Sequence, residues 1–259
     1  GTMVADRSPR HLAHRRGDYG VDAPAVPVVL GSIGVLLLIP GVLLTWVVPQ
    51  PLPLLLLGII LLVCGIFMLL CAAGYLYSTR IGKFQVWAEI LTQLHLHGDE
   101  HVLDLGCGRG AVLLMVASLL PNGQASGIDL WKTVDQSGNA LATTQRNAAR
   151  EGVTERVALY TADMQHLPFP ENSFDLLLSS LAIHNIPSAA GREKALAEAV
   201  RVLKPGGRLV IVDVFHTQSY AHCLRQLGQS EVTYRRLDWR LWYGPPWIAA
   251  KLVTAHKPL

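Results

Sequence analysis

The sequence predicts an α/β domain on a mostly parallel sheet with an antiparallel last strand, preceded by two transmembrane helices. Three observations predict it. Residues 26–48 and 52–77 are apolar runs without a charge. Beyond residue 80, short strand-like apolar runs alternate with longer helical ones, the pattern of a parallel sheet. The first of these strands leads into Val102-Leu-Asp-Leu-Gly-Cys-Gly-Arg-Gly110, where an acid and three alternating glycines run straight into helical periodicity.

The bulk composition supports the membrane part. Hydrophobic residues make up 51% of the chain and charged residues 16%, with a mean hydropathy of +0.33, too apolar for an ordinary water-soluble enzyme. Both runs have the length to cross a hydrocarbon core about 30 Å thick. They are longer than the apolar segment of a signal peptide, which is about 7–15 residues. Pro49-Gln50-Pro51 between them reads as a tight turn, so the two helices are antiparallel neighbours, with Gly31, Gly34, Gly58 and Gly65 as positions for close approach. Arg7, Arg10, Arg15 and Arg16 precede the first run, Arg80 and Lys83 follow the second, and the turn is uncharged. The positive-inside rule then puts both ends in the cytoplasm, with the basic flanks near anionic head groups.

The expected organisation is a flexible cytoplasmic N-terminus over residues 1–25 and a hairpin over 26–77, spanning at 26–48 and 52–77. A cytoplasmic domain over 80–259 completes a multi-pass cell-membrane protein whose partner is the lipid bilayer. The net charge of +3 is too small to point to nucleic acid. Cys64, Cys71, Cys107 and Cys223 have neither metal nor disulfide spacing, so no metal is expected. Oligomeric state is not legible.

Within the domain the patterns predict a helix over 84–96 and strands over 101–107, 125–130, 157–162, 174–182 and 208–214. Helices follow over 111–120, 138–151, 192–203 and 219–227, and an antiparallel pair over 231–237 and 249–255 closes the sheet. Ligands of such a sheet bind beyond the carboxyl ends of its strands. The candidate residues fall there: Asp104, Gly106, Cys107, Gly108 and Gly110 after the first strand, Asp129 and Leu130 after the second, Asp163 and Met164 after the third, and Ser180 near the end of the fourth. Asp104 stands where it can reach an ammonium group, and Asp129 where it can accept ribose hydroxyls. An aspartate at a strand end also serves as a simple turn former, so the joint spacing carries the argument. Gly106, Gly108 and Ala111 also satisfy G-x-G-x-x-G/A, which keeps an NAD(P)-dependent oxidoreductase as an alternative.

Asp104-Leu-Gly-Cys-Gly-Arg-Gly110, Gly127-Ile-Asp-Leu130, Ala162-Asp-Met164, Leu167-Pro-Phe-Pro-Glu-Asn-Ser-Phe-Asp175 and Leu203-Lys-Pro-Gly-Gly-Arg-Leu209 resemble, in order, the motifs of the class I S-adenosylmethionine (SAM)-dependent methyltransferases. The segment 167–175 is similar to the ubiquinone/menaquinone-biosynthesis C-methyltransferases and their small-molecule relatives. The resemblance covers about residues 84–259 and implies a Rossmann-like class I methyltransferase sheet. It implies that Gly106, Gly108 and Gly110 cradle the methionine part of SAM, Asp129 the ribose and Asp163 the adenine. A non-catalytic SAM-binding membrane scaffold is a further alternative.

The expected reaction is methyl transfer from SAM to a small, apolar or lipid-associated acceptor. A general base is needed only for an acceptor that starts protonated, and His184, just past the fourth strand, is the candidate catalytic residue. His166 ranks below it. Trp131, Asp135 and Asn139 lie in a loop longer than the family's usual one, and either wall the acceptor or form plain surface. Tyr243 belongs to an aromatic cluster with Trp239, Trp242 and Trp247. That cluster serves as acceptor wall, membrane-interface dock or core packing. Because the pocket motifs begin at Val102, the hairpin is expected to concentrate acceptors without lining the site.

Overall fold

The computed structural model describes residues 8–47, 49–132 and 140–259. It opens with a short helix α1 (Pro9–Ala13), then α2 (Ala25–Val42), which runs into a π-helical turn over Leu43–Val47, and α3 (Leu52–Tyr77). Both long helices are able to cross a membrane by length and composition, and little of either is buried against the rest of the protein. Val28, Leu36, Trp46 and Leu70 are each more than 60% exposed, a surface that only an apolar solvent or partner would favour.

The two helices approach each other through glycine. A Cβ at Gly34 would lie 3.1 Å from the Gly65 carbonyl oxygen, and one at Gly41 would lie 3.1 Å from that of Gly58. Small residues let helix backbones come this close. Gly31 has nothing within 4 Å, so it is not at the contact, and Gly41 takes the place expected for it. The two positions are ten residues apart, nearly three turns of helix.

α3 does not end in a linker. Through a second π-helical turn, Ser78–Gly82, it continues into α4 (Lys83–Gln93), and the whole run from Leu52 to Gln93 is 42 residues long. α4 therefore starts as an extension of the hairpin and buries Phe84, Trp87, Ile90 and Leu91 against the domain. The expected boundary near residue 80 is a packed junction.

The domain is a seven-stranded sheet in the order β3-β2-β1-β4-β5-β7-β6. Its strands are β1 (His101–Leu105), β2 (Gln124–Asp129), β3 (Val157–Thr161), β4 (Phe174–Ser180), β5 (Leu203–Asp213), β6 (Ser230–Arg236) and β7 (Lys251–His256). The first five are parallel, and β7 runs antiparallel between β5 and β6. α5 (Ala111–Ala117), α6 (Leu141–Glu151), α7 (Ala189–Val202) and α8 (Thr217–Gln226) cover it. Alternation along the strands sorts side chains to two cores. Val102, Leu176, Leu178, Val210 and Val212 pack toward α4 and α5, whereas Leu103, Leu177, Leu209 and Ile211 pack toward α7 and α8. Fold class and antiparallel ending match the expectation. The strand bounds differ by at most two residues except that β5 begins five residues earlier, at Leu203; β1 and β4 stop where the chain turns, at Gly106 (φ +71°) and Leu181 (φ +53°).

Residues 8–24, expected to be flexible, are tied to the domain. Leu12 and Tyr19 are buried, and Glu151 accepts hydrogen bonds from the backbone N–H groups of Arg16 and Gly17 and from the Tyr19 hydroxyl. Asp18 pairs with Arg109 of the glycine loop at 2.8 Å. Arg15 and Lys83, expected to face lipid head groups, are instead paired with Glu151 and Asp22, while Arg10, Arg16 and Arg80 remain exposed.

Candidate active site

The carboxyl ends of β1, β2, β4 and β5 open onto one cavity of about 470 Å³. Ten of the expected residues line it: Asp104, Gly106, Cys107, Gly108, Asp129, Leu130, Asp163, Met164, Ser180 and His184. Tyr243 joins them from the far side. Gly110 does not line it; with φ +91° it caps the start of α5 and holds the loop closed through its N–H to the Cys107 carbonyl.

The glycine loop is fastened from three directions. Gly106 and Cys107 donate to the Ile128 carbonyl, Gly108 donates to Asp129 Oδ2 at 2.8 Å, and Thr144 of α6 donates to the Gly108 carbonyl. Asn147 of α6 donates to the Arg109 carbonyl. A Cβ at Gly106 would sit 2.4 Å from the Ala182 Cβ, so only glycine fits between the loop and the end of β4. Neither Thr144 nor Asn147 stood out in the sequence, since polar residues on an amphipathic helix usually face water.

Asp104 is fully buried, and its Oδ1 has no hydrogen-bond partner. Burial raises its pKa, Asp129 nearby raises it further, and it stands at about 7. Such an orphaned carboxylate beside a glycine cradle suits a ligand that brings a cation, as the ammonium of SAM would. Asp129 accepts from the Gly108 N–H through Oδ2 and from the Trp131 N–H through Oδ1, which fixes its carboxylate at the cavity edge where a ribose would lie. Asp163 Oδ1 accepts from the Gln165 N–H in a local turn and also faces the cavity. Burial pushes the Cys107 thiol well above its usual range, so it is a packing residue rather than a nucleophile.

His184 is gripped by Asp213, a residue that sequence reasoning missed. His184 Nδ1 lies 2.5 Å from Asp213 Oδ1, and the backbone N–H of His184 donates to Oδ2. Asp213 is completely buried at the end of β5, where the Val214 N–H and the Tyr220 hydroxyl also donate to it. Burial and Asp213 together raise the Tyr220 pKa, keeping that hydroxyl a donor. The signal was present in the sequence: an acid closing an apolar strand at the ligand-binding edge. His166 instead meets Lys194.

Two substrate expectations change. The Trp131 indole turns to donate to Thr161 at the end of β3 and packs on the core, so it does not wall the cavity. Its positive φ, +59°, and the bond from its N–H to Asp129 set that direction. Asp135 and Asn139 lie outside the described residues. A further correction concerns the hairpin, because Asp22, Ala23, Val26, Tyr75 and Lys83, all from its base, line the same cavity. The cluster His97, Asp99 and Glu100 precedes β1, outside the cavity lining, and Glu100 is already held by the His97 and Gly98 N–H groups.

Comparison with known proteins agrees with this geometry. Residues 103–211 match the family described as a methyltransferase domain. The demethylmenaquinone methyltransferase of Lactiplantibacillus plantarum is 36% identical over 51% of this chain and 53% of its own length. The ubiquinone/menaquinone biosynthesis C-methyltransferase of Brucella abortus is 33% identical over 43% of this chain and 38% of its own. The chain thus spans about half or less of the length of these relatives. Among solved structures, the cyclase SpnF superposes with a TM-score of 0.55 at 22% identity, covering 68% of this chain and 84% of that one. A SAM-dependent methyltransferase from Methanosarcina mazei superposes at 0.52 and 20% identity, covering 64% and 96%. At these identities the superpositions speak for the fold alone. The family match over residues 103–211, together with these relatives, shows that this segment is a SAM-dependent methyltransferase domain.

Proposed function

We propose that the protein transfers a methyl group from SAM to a small, apolar acceptor of quinone type held in the bilayer. It does so as a two-span membrane protein whose catalytic domain faces the cytoplasm. The carrying observation is the cavity itself: the three aspartates that suit SAM, His184 with Asp213 behind it, and the base of the apolar hairpin surround one space. When bound, SAM supplies a methyl group on a sulfonium that is lost by in-line displacement, so alignment and exclusion of water are the protein's main tasks. Asp104, Asp129 and Asp163 hold and orient. Asp213 accepts from His184 Nδ1 and so leaves Nε2 as the ring nitrogen able to take a proton from a phenol or activated carbon. The quinone class comes from the names of the relatives, and the bilayer from the two exposed apolar helices.

The test is to incubate membranes containing the protein with methyl-labelled SAM and identify the labelled product. A labelled lipid-soluble ring compound supports the reading. Binding of SAM with no turnover on any lipid extract would instead favour a scaffold. Orientation is tested with cysteines at Gln50 and Ser8 and an impermeant thiol reagent. Labelling at Ser8 in intact cells would put the domain on the side away from SAM and sink the cytoplasmic assignment.

A further inference from the structure

The cavity is bounded on one side by the carboxyl edge of the sheet and on the other by the base of the hairpin. Ala23 precedes α2, Val26 lies in its first turn, and Tyr75 lies in the last turn of α3. These residues are held in place. Lys83 pairs with Asp22 at 2.8 Å, Thr79 donates to Asp22 Oδ2, and the Tyr75 hydroxyl donates to the Asp22 carbonyl. A buried ion pair with this many satisfied partners fixes geometry more than it stabilises. Tyr243 bridges the two sides. Its ring meets Tyr75 edge-on with centroids 5.4 Å apart, and its hydroxyl feels Asp22, Tyr75 and Asp213.

The loop after Tyr243 climbs the outside of the hairpin. A Cβ at Gly244 would lie 3.7 Å from the Leu30 side chain, and the Trp247 ring stacks on Phe67 at 5.9 Å. Lower down, Trp239 stacks on Tyr77 at 5.3 Å. Phe67 precedes Tyr77 by ten residues, which is about 15 Å along a helix. Trp247, 67% exposed, therefore reaches a level where α3 is already apolar all round, as aromatic anchors at a membrane interface do. Ile248, the next residue, lines the cavity, and so does Val26, one turn before Leu30. The cavity wall and the lipid-facing surface are thus neighbours along the chain at two separate places.

From this juxtaposition we infer that acceptors enter sideways from the cytoplasmic leaflet, between the first turn of α2 and the 243–248 loop. The acceptor class this fits is an amphiphile. Its reacting head passes Tyr243 to reach His184, and its apolar tail stays beside Val26, Leu30 and Trp247. The hairpin base is then part of the acceptor site and not only a tether. This inference rests on the membrane-anchored reading proposed above.

The experiment uses the full chain carrying Cys64→Ser, reconstituted in phosphatidylcholine–phosphatidylglycerol vesicles. Nitroxides are placed through Val26→Cys or Ile248→Cys, with Leu36→Cys and Gln226→Cys as lipid and water references. Relaxation by oxygen and by a water-soluble nickel chelate reports what each position meets. Positions 26 and 248 should resemble Leu36; if they meet the chelate as freely as Gln226 does, the entrance faces water and the inference is wrong. A second arm uses Val26→Trp with two reduced demethylnaphthoquinone probes, one bearing a decyl tail and one bare. The expected result is a fall of about tenfold in kcat/KM for the tailed probe alone, with SAM affinity unchanged. Equal losses on both probes overturn the doorway. If the unaltered protein methylates neither ring, the quinone proposal fails, while the relaxation data still decide the entrance.

Discussion

The Asp213 carboxylate and the His184 imidazole form a hydrogen-bonded pair in which His184 lines the cavity and Asp213 lies fully buried behind it. Asp213 therefore acts through His184 as a positioning residue, setting ring orientation and tautomer. Asp213→Asn should lower kcat by about 10²-fold, the lower end for general-base catalysis, with little change in SAM affinity. Removing the carboxylate also disfavours the protonated ring, so the acid limb of the pH–rate profile should move to lower pH. A slower enzyme with an unmoved profile would show that Asp213 only supports the fold.

Asp104 is expected to make cofactor binding pH-dependent. Its carboxyl stands at about 7, raised by burial and by Asp129, and an ammonium ligand needs it ionised. SAM affinity should therefore fall by about tenfold per pH unit below 7, as one proton competes with the ligand. Calorimetry across pH 5.5–8.5 checks this, and Asp104→Asn should bind weakly with a flat profile. Without cofactor, the same group binds its proton more tightly folded than unfolded. Its contribution to stability is complete below about pH 4 and is lost as pH rises through 7, on the order of 4 kcal/mol. Denaturant midpoints that rise over this window would contradict the assignment.

Gly106→Ala should abolish SAM binding. The new methyl would meet the Ala182 Cβ at 2.4 Å while the backbone stays at φ +71°. Left-handed strain and overpacking together cost about 2–4 kcal/mol. A melting temperature within a degree or two of the parent would show that the loop relaxes freely.

The hairpin contact is tested by leucine at three glycines. Gly34→Leu and Gly65→Leu place side chains against the facing helix, where a Cβ already lies within 3.1 Å of backbone, whereas Gly31→Leu enters open space. The first two should reduce the amount of folded protein recovered in detergent, and the third should not. Equal recovery of all three would mean the helices pack by another face.

The succession of strands, the antiparallel ending and most of the strand-end residues that line the cavity were legible because each rests on local pattern: alternation in strands, glycine before a helix, acid after a strand. Asp129 and Asp163 could be placed from strand ends alone. Asp213 obeyed the same rule but drew no notice, since no family motif marked it. Asp22, Val26 and Tyr75 were not legible. Their place in the cavity wall depends on how the hairpin meets the domain, a contact made across 50 to 220 residues of sequence that no periodicity encodes. The same packing explains why residues 8–24 are ordered despite a composition that reads as loop: Tyr19 and Asp18 find Glu151 and Arg109 on the domain.

The unbroken helix from Leu52 to Gln93 has a mechanical consequence. A domain on a flexible leash explores a volume set by chain statistics, and its encounters fall off with leash length. Here a rod about 63 Å long enters the domain as its own first helix, and Glu89 on that rod is clamped by Arg240. Altitude and tilt of the catalytic edge are therefore written into one piece of backbone. Inserting or deleting a residue between Tyr77 and Lys83 would turn the domain by about 100° around the rod, rather than merely lengthen its reach.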